Sequence, residues 1–202
     1  MEWFSSHASI LLIDTSLKKL QINKKIMPFS LPQFDDQIEK LLRNKNFENF
    51  LDIGAGEGKY GKMIKAINPQ AKVTAVEVDK SYIVKYKLKN LYDEVLNIDI
   101  DSFIDNNPAY NCDAVVIGDC IEHLRKSSGI DLLNYLVYRT QQIIIKFPVE
   151  LIQYDWHGHA SEAHRSIWDK HDFEGFNFKF YKKDMMRLVV IKGYRSPRKI
   201  TS

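Results

Sequence analysis

No apolar stretch in this chain approaches the roughly 20 residues that a membrane-crossing helix needs, so no span is expected. The short run at residues 10–13 is too brief for a signal-peptide core, and Asp14 interrupts it. Charge of one sign is lacking as well. Lys and Arg total 29 against 26 Asp and Glu, a net charge of +3, so charge alone gives no nucleic-acid footprint. Cysteine is scarce: only Cys112 and Cys120 occur, eight positions apart with a strand expected between them. An extended segment of that length spans about 26 Å, beyond the reach of a disulfide. Two free thiols place the chain in a reducing compartment, and the expectation is a cytoplasmic protein. No internal repeat or low-complexity tract is present, and 202 residues with 45% hydrophobic content suffice for one good core.

Glycine is also sparse, with nine residues, yet four of them crowd into residues 51–61, LDIGAGEGKYG. An apolar run at 50–53 carries Asp52 and breaks into Gly54, Gly56, Gly58 and Gly61. Behind it, Tyr60, Met63, Ile64 and Ile67 recur at i, i+3, i+4 and i+7, one buried helix face. This spacing predicts strand, tight glycine turn and helix (59–67), the opening of a nucleotide-binding α/β unit.

The rest of the chain alternates in the same way. Residues 1–32 have no clean period and read as an N-terminal extension or lid, punctuated by Pro28 and Pro32; residues 33–202 read as one domain. A helix starts near Gln33 on Phe34, Ile38, Leu41 and Leu42. Further strands are expected at 72–78, 93–98, 114–117 and 142–147, with helices over 81–89 and around Ile130, Leu133, Leu136 and Val137. Residues 177–181 and 185–191 read as a hairpin. The fold class is therefore α/β: a Rossmann-like, doubly wound, mostly parallel seven-stranded sheet with an antiparallel C-terminal hairpin strand.

Two glycine registers share the loop. Gly56, Gly58 and Gly61 fit G-x-G-x-x-G, and Glu77 follows Gly56 by 21 positions, as in dinucleotide-binding oxidoreductases that use NAD. Asp52, Gly54, Gly56 and Gly58 fit D-x-G-x-G-x-G. An acid two positions before the first glycine suits a ligand with a cationic amine and repels a pyrophosphate. The second register resembles the first motif of the class I S-adenosylmethionine-dependent methyltransferases.

Other residues extend the resemblance over about residues 45–150. Glu77 ends the second strand in AVEVD, where that family places the carboxylate that accepts from both ribose hydroxyls. Asp99 lies where the family has an acid facing the adenine amino group. GDCIEHL, at residues 118–124, is similar to the D-x-x-E-H-L stretch of small-molecule members, which puts Asp119 beside the methionine part and His123 near the transferred methyl. The resemblance implies S-adenosyl-L-methionine as cofactor, held by Asp52, Gly54, Ala55, Gly56, Gly58, Tyr60, Glu77, Val78, Asp99, Ile100, Asp119 and Cys120. The Pro-Pro-aromatic signature of enzymes that methylate DNA amino groups is missing, which argues against DNA as acceptor.

The acceptor side is expected in residues 152–176, a long loop with four of the six histidines. EAHRSIWDKHDF within it resembles an E-x-H-x-S-x-W-x-x-x-D-F pattern of some small class I methyltransferases. His123 and His164 are the candidate bases or orienting groups. Trp156, His157, His159, Arg165 and Trp168 are the candidate acceptor contacts, the tryptophans by stacking. Glu122 reads as a helix-start residue favoured by the dipole. No metal is expected, since the spacing of His157, His159 and His164 matches no strong zinc signature. The expected enzyme is a methyltransferase (EC 2.1.1 class) acting on a small-molecule hydroxyl, with an amine second. The competitors are an NAD oxidoreductase, a non-catalytic cofactor-binding subunit, and an RNA methyltransferase using the basic residues 18–25 and 195–199. A homodimer is compatible with all of these.

Overall fold

The computed structural model describes residues 31–44, 47–149, 153–154 and 159–196. The N-terminal extension expected over 1–32 therefore lies outside the described residues, apart from Leu31 and Pro32, as do the basic residues 18–25 and 197–199.

Seven strands form one sheet: β1 (Asn49–Ile53), β2 (Lys72–Val76), β3 (Glu94–Leu96), β4 (Ala114–Gly118), β5 (Gln142–Pro148), β6 (Phe178–Lys183) and β7 (Met186–Lys192), in the order β3-β2-β1-β4-β5-β7-β6. The first five run parallel; β7 pairs antiparallel with both β5 and β6. The central strands are buried on both faces, which is why NFLDI, AVVIG and QIIIKFP read as near-continuous apolar runs. Successive side chains point to opposite faces. Leu51, Ile53, Val115, Ile117, Ile143 and Ile145 enter one core, and Phe50, Val73, Ala75, Ala114, Val116 and Ile144 the other.

Among the described residues, five α-helices flank the sheet: α1 (Asp35–Leu42), α2 (Lys59–Ile67), α3 (Lys80–Lys85), α4 (Ile100–Asn106) and α5 (Lys126–Val137). α1 and α2 bury Ile38, Leu42, Tyr60 and Ile64 on the second core; α4 and α5 bury Phe103, Leu132, Leu133 and Leu136 on the first. The helix expected over 81–89 is shorter. Lys87, at φ 52, breaks it, and a single 3-10 turn (Leu88–Asn90) follows. α4 had no clear period in the sequence because it is only seven residues long; Asp99 caps it and Ile100 and Phe103 anchor it.

The strand order reverses between β1 and β4, with β2 on one side and β5 on the other. In an open α/β sheet the crevice for a ligand lies there, outside the carboxyl ends of the strands. Among the described residues no helix is long and apolar enough to cross a membrane. Cys112 and Cys120 flank β4 as free thiols.

Candidate active site

The glycine loop leaves β1 through backbone angles that a side chain resists. Gly54 and Gly56 have φ of 70° and 51°. A Cβ at Gly54 would stand 2.4 Å from Cys120 Sγ, so the β1 turn lies directly against the β4 turn. At Gly56 a Cβ would meet nothing closer than 3.9 Å, which leaves that side of the loop open to a ligand.

Glu77, only 5% exposed, braces the loop. Gly56 N–H donates to its Oε2 and Asp79 N–H to its Oε1, each at 2.8 Å. Burial holds its carboxyl above the usual value. Asn97 donates from Nδ2 to the Glu77 and Val78 carbonyls, tying the end of β3 to the end of β2. Val78 itself is exposed. Asp99 is engaged locally: it accepts from Ser102 N–H at 2.8 Å and Ser102 Oγ at 2.9 Å. Ile100 is buried beneath it.

Asp52 has no exposed surface. It points into the second core, where Tyr92 donates its hydroxyl to Oδ2 at 2.5 Å. Burial pushes its carboxyl up to about 7, against the opposing Tyr92 hydrogen bond. The Asp52–Tyr92 bond fastens the loop strand to the chain after α3, a contact between residues 40 positions apart.

At the end of β4, Gly118 lets Tyr60 lie flat on the backbone; a Cβ there would fall 1.9 Å from the Tyr60 ring. Asp119 follows at φ 49 and takes an ion pair from Lys146 Nζ at 2.9 Å. Lys146, wholly buried on β5, also donates to the Leu31 carbonyl at 2.6 Å. Burial lowers its pKa, with Asp119 opposing. Sequence reasoning passed over this lysine. Its signal is a lone cation inside the apolar strand QIIIKFP, which must find a partner if buried.

Residues 159–166 reach the ends of both β2 and β4. His159 Nδ1 lies 2.6 Å from Asp79 Oδ2 and its ring tilts against Tyr82 at 5.1 Å. Farther on, the backbone N–H groups of Arg165 and Ser166 donate to the Glu122 carbonyl at 2.8 and 3.1 Å. The Arg165 residue is exposed. His123 Nδ1 lies 3.3 Å from the Ala163 carbonyl, and the His123 and His164 rings meet edge to face at 4.8 Å. Burial lowers the pKa of His123.

Two expectations need correction. The Asp52 carboxyl does not reach out for a cofactor amine: it is fully buried and held by the Tyr92 hydroxyl. Trp168 does not face an acceptor. It is 1% exposed, donates from Nε1 to Ser166 Oγ and the Ile121 carbonyl, and packs so closely on α5 that a Cβ at Gly129 would come 2.5 Å from its ring. Glu122 stands in the first helical turn, as expected, but away from solvent. It sits in the 3-10 turn Ile121–His123, 2% exposed, with no hydrogen-bond partner for either carboxyl oxygen. Burial, then the nearby Asp119, raises its pKa well above the carboxylate range. Trp156 and His157 lie outside the described residues.

The glycine loop, the buried Glu77 carboxyl and the open space over Gly56 could hold a nucleoside ligand at the strand ends. A family model described as "MetW: Methionine biosynthesis protein MetW" matches residues 35–156, more than half of the chain. Ribosomal RNA large subunit methyltransferase G of Vibrio cholerae is 32% identical over 84 residues, 39% of this chain and 22% of that protein. The chain thus spans about a fifth of the length of this curated relative. Among solved structures, the N-terminal domain of EvdMO1 in the presence of SAH and D-fucose superposes with a TM-score of 0.57 at 13% identity, covering 80% of this chain and 82% of that one. A SAM-dependent methyltransferase from Archaeoglobus fulgidus gives 0.56 at 15% identity, over 78% and 93%. The shared fold is that of the Rossmann-like methyltransferases.

Proposed function

The chain belongs to the MetW family, and from that premise we propose that it is a class I S-adenosylmethionine-dependent methyltransferase whose acceptor is a small-molecule hydroxyl, on a sugar or natural product, with an amine second. One observation carries this reading: the Gly54–Gly56 turn, open above Gly56, is braced by Glu77 at the switch point of the sheet. Bound there, S-adenosylmethionine supplies a methyl group activated by its sulfonium. The side chains divide the remaining work. Glu77 retains lone pairs for ribose hydroxyls beyond the two backbone bonds it accepts. Asp119, positioned by Lys146, carries negative charge toward the cofactor's cationic end. The loop pinned by His159 and by residues 165–166 excludes water that would compete with the acceptor. The Glu122, His123 and His164 group takes or polarises the acceptor proton, a role suited to imidazoles beside a carboxyl. EvdMO1, crystallised with D-fucose, supports a sugar as the first acceptor to try.

RNA is the second reading, favoured by the ribosomal RNA methyltransferase match; steep salt dependence of RNA binding would support it. Two free thiols agree with a cytoplasmic setting. The deciding experiment is a thermal-shift and calorimetric comparison of S-adenosylhomocysteine with NAD. Stabilisation by S-adenosylhomocysteine alone is expected; stabilisation by NAD alone overturns the reading.

A further inference from the structure

Glu122 is the anomaly of the site. A buried carboxyl without a hydrogen bond is costly, and more so beside a second acid, Asp119. Proteins retain such groups where something else is meant to meet them. Around Glu122 stand two imidazoles, and one ligand atom from each of Glu122, His123 and His164 lies within 4.8 Å of the others. His123 is already oriented as a ligand would be. Its Nδ1 faces the Ala163 carbonyl at 3.3 Å, and its Nε2 lies 3.9 Å from Glu122 Oε1. A second-shell bond of this kind from one ring nitrogen leaves the other as a lone-pair donor.

We propose that Glu122, His123 and His164 bind a divalent first-row transition-metal ion. Two imidazoles and one carboxylate suit Zn²⁺, Fe²⁺, Co²⁺ or Mn²⁺ and disfavour Ca²⁺, which takes all-oxygen sets. Ligand atoms about 2.1 Å from a common ion lie about 3 to 4 Å apart. Small side-chain rotations bring the three into that range. The ion's charge also offsets the two acids that burial sets side by side. Three protein ligands leave positions for an oxygen donor. On the methyl-transfer reading, an acceptor hydroxyl bound there would lose its proton to solvent, and its oxygen would form the new O–CH₃ bond as the cofactor's S–CH₃ bond breaks and S-adenosylhomocysteine leaves.

The chelator-stripped 202-residue chain titrated with Co²⁺ tests this directly, because d–d absorption reports ligation of the ion. Saturable uptake of one ion per chain is expected. Glu122→Gln and His164→Gln should each weaken uptake by at least about tenfold. His171→Asn should not, since its side chain is 81% exposed and pairs with Glu174. Absence of saturable uptake by the wild-type protein overturns the proposal whatever the variants do, and so does unchanged uptake by a folded Glu122→Gln. Titration with S-adenosylhomocysteine separates the two readings. Cofactor binding without metal uptake removes only the ion, whereas metal uptake without cofactor binding removes the methyltransferase.

Discussion

Asp52→Asn isolates the cost of the loop's buried acid. In the folded protein the Asp52 carboxyl is fully buried and its pKa rises from 3.8 to about 7, through burial above all, opposed by hydrogen bonds from the Tyr92 hydroxyl and the Gly61 backbone, with a smaller push upward from Glu77. A carboxyl that holds its proton more tightly when folded stabilises the fold below its unfolded pKa. That contribution drains away as pH rises toward the folded value and is gone above it. At about 1.4 kcal/mol per pKa unit, the interval corresponds to about 4 kcal/mol. Asparagine keeps the shape, still accepts from Tyr92 and does not titrate. The stability difference, variant minus wild type, should therefore rise by about 4 kcal/mol between about pH 4 and pH 8. Urea unfolding followed by circular dichroism at several pH values measures it, and the difference cancels the titrating groups that do not interact with Asp52. A flat difference, or one that falls with pH, refutes the buried-acid account.

Glu77→Ala should weaken S-adenosylhomocysteine binding at least about tenfold by calorimetry, because charged hydrogen bonds contribute about 1.5–3 kcal/mol each. His164→Ala should leave that affinity nearly intact, and the reverse ranking breaks the division between cofactor edge and acceptor side. Trp168→Ala should cost about 3–5 kcal/mol of folding stability in urea, as expected for a large core side chain; a loss under about 1 kcal/mol would return it to the surface. Gly118→Ala should destabilise sharply against the Tyr60 ring. Combined with Tyr60→Ala it should be clearly less than additive in a double-mutant cycle, and strict additivity would mean the two do not touch.

Local signals were enough for the strands and the glycine turn. Runs such as AVVIG are apolar throughout because a parallel strand is covered on both faces, so its character is written in consecutive residues. The turn is legible for the same reason, since Gly54 and Gly56 answer a backbone demand made within a few positions. The acceptor side was not legible in this way. Trp168 and His164 share an irregular loop with no period to say which side chain turns inward; contact with Gly129 and Phe173 and hydrogen bonds to Ser166 and the Ile121 carbonyl hold the tryptophan in the core. That Glu122 is buried was not legible, because its burial depends on residues 163–166 folding back more than 40 positions later. Lys146 and Asp52 are likewise ordinary charges until the sheet buries one against Asp119 and the other against Tyr92. The sequence by itself determined the sheet, its helices and the nucleotide turn, because those follow from neighbours along the chain. Which charges lie buried, and which histidines stand beside a carboxyl, was decided only by tertiary structure, because desolvation depends on what the distant chain brings into contact.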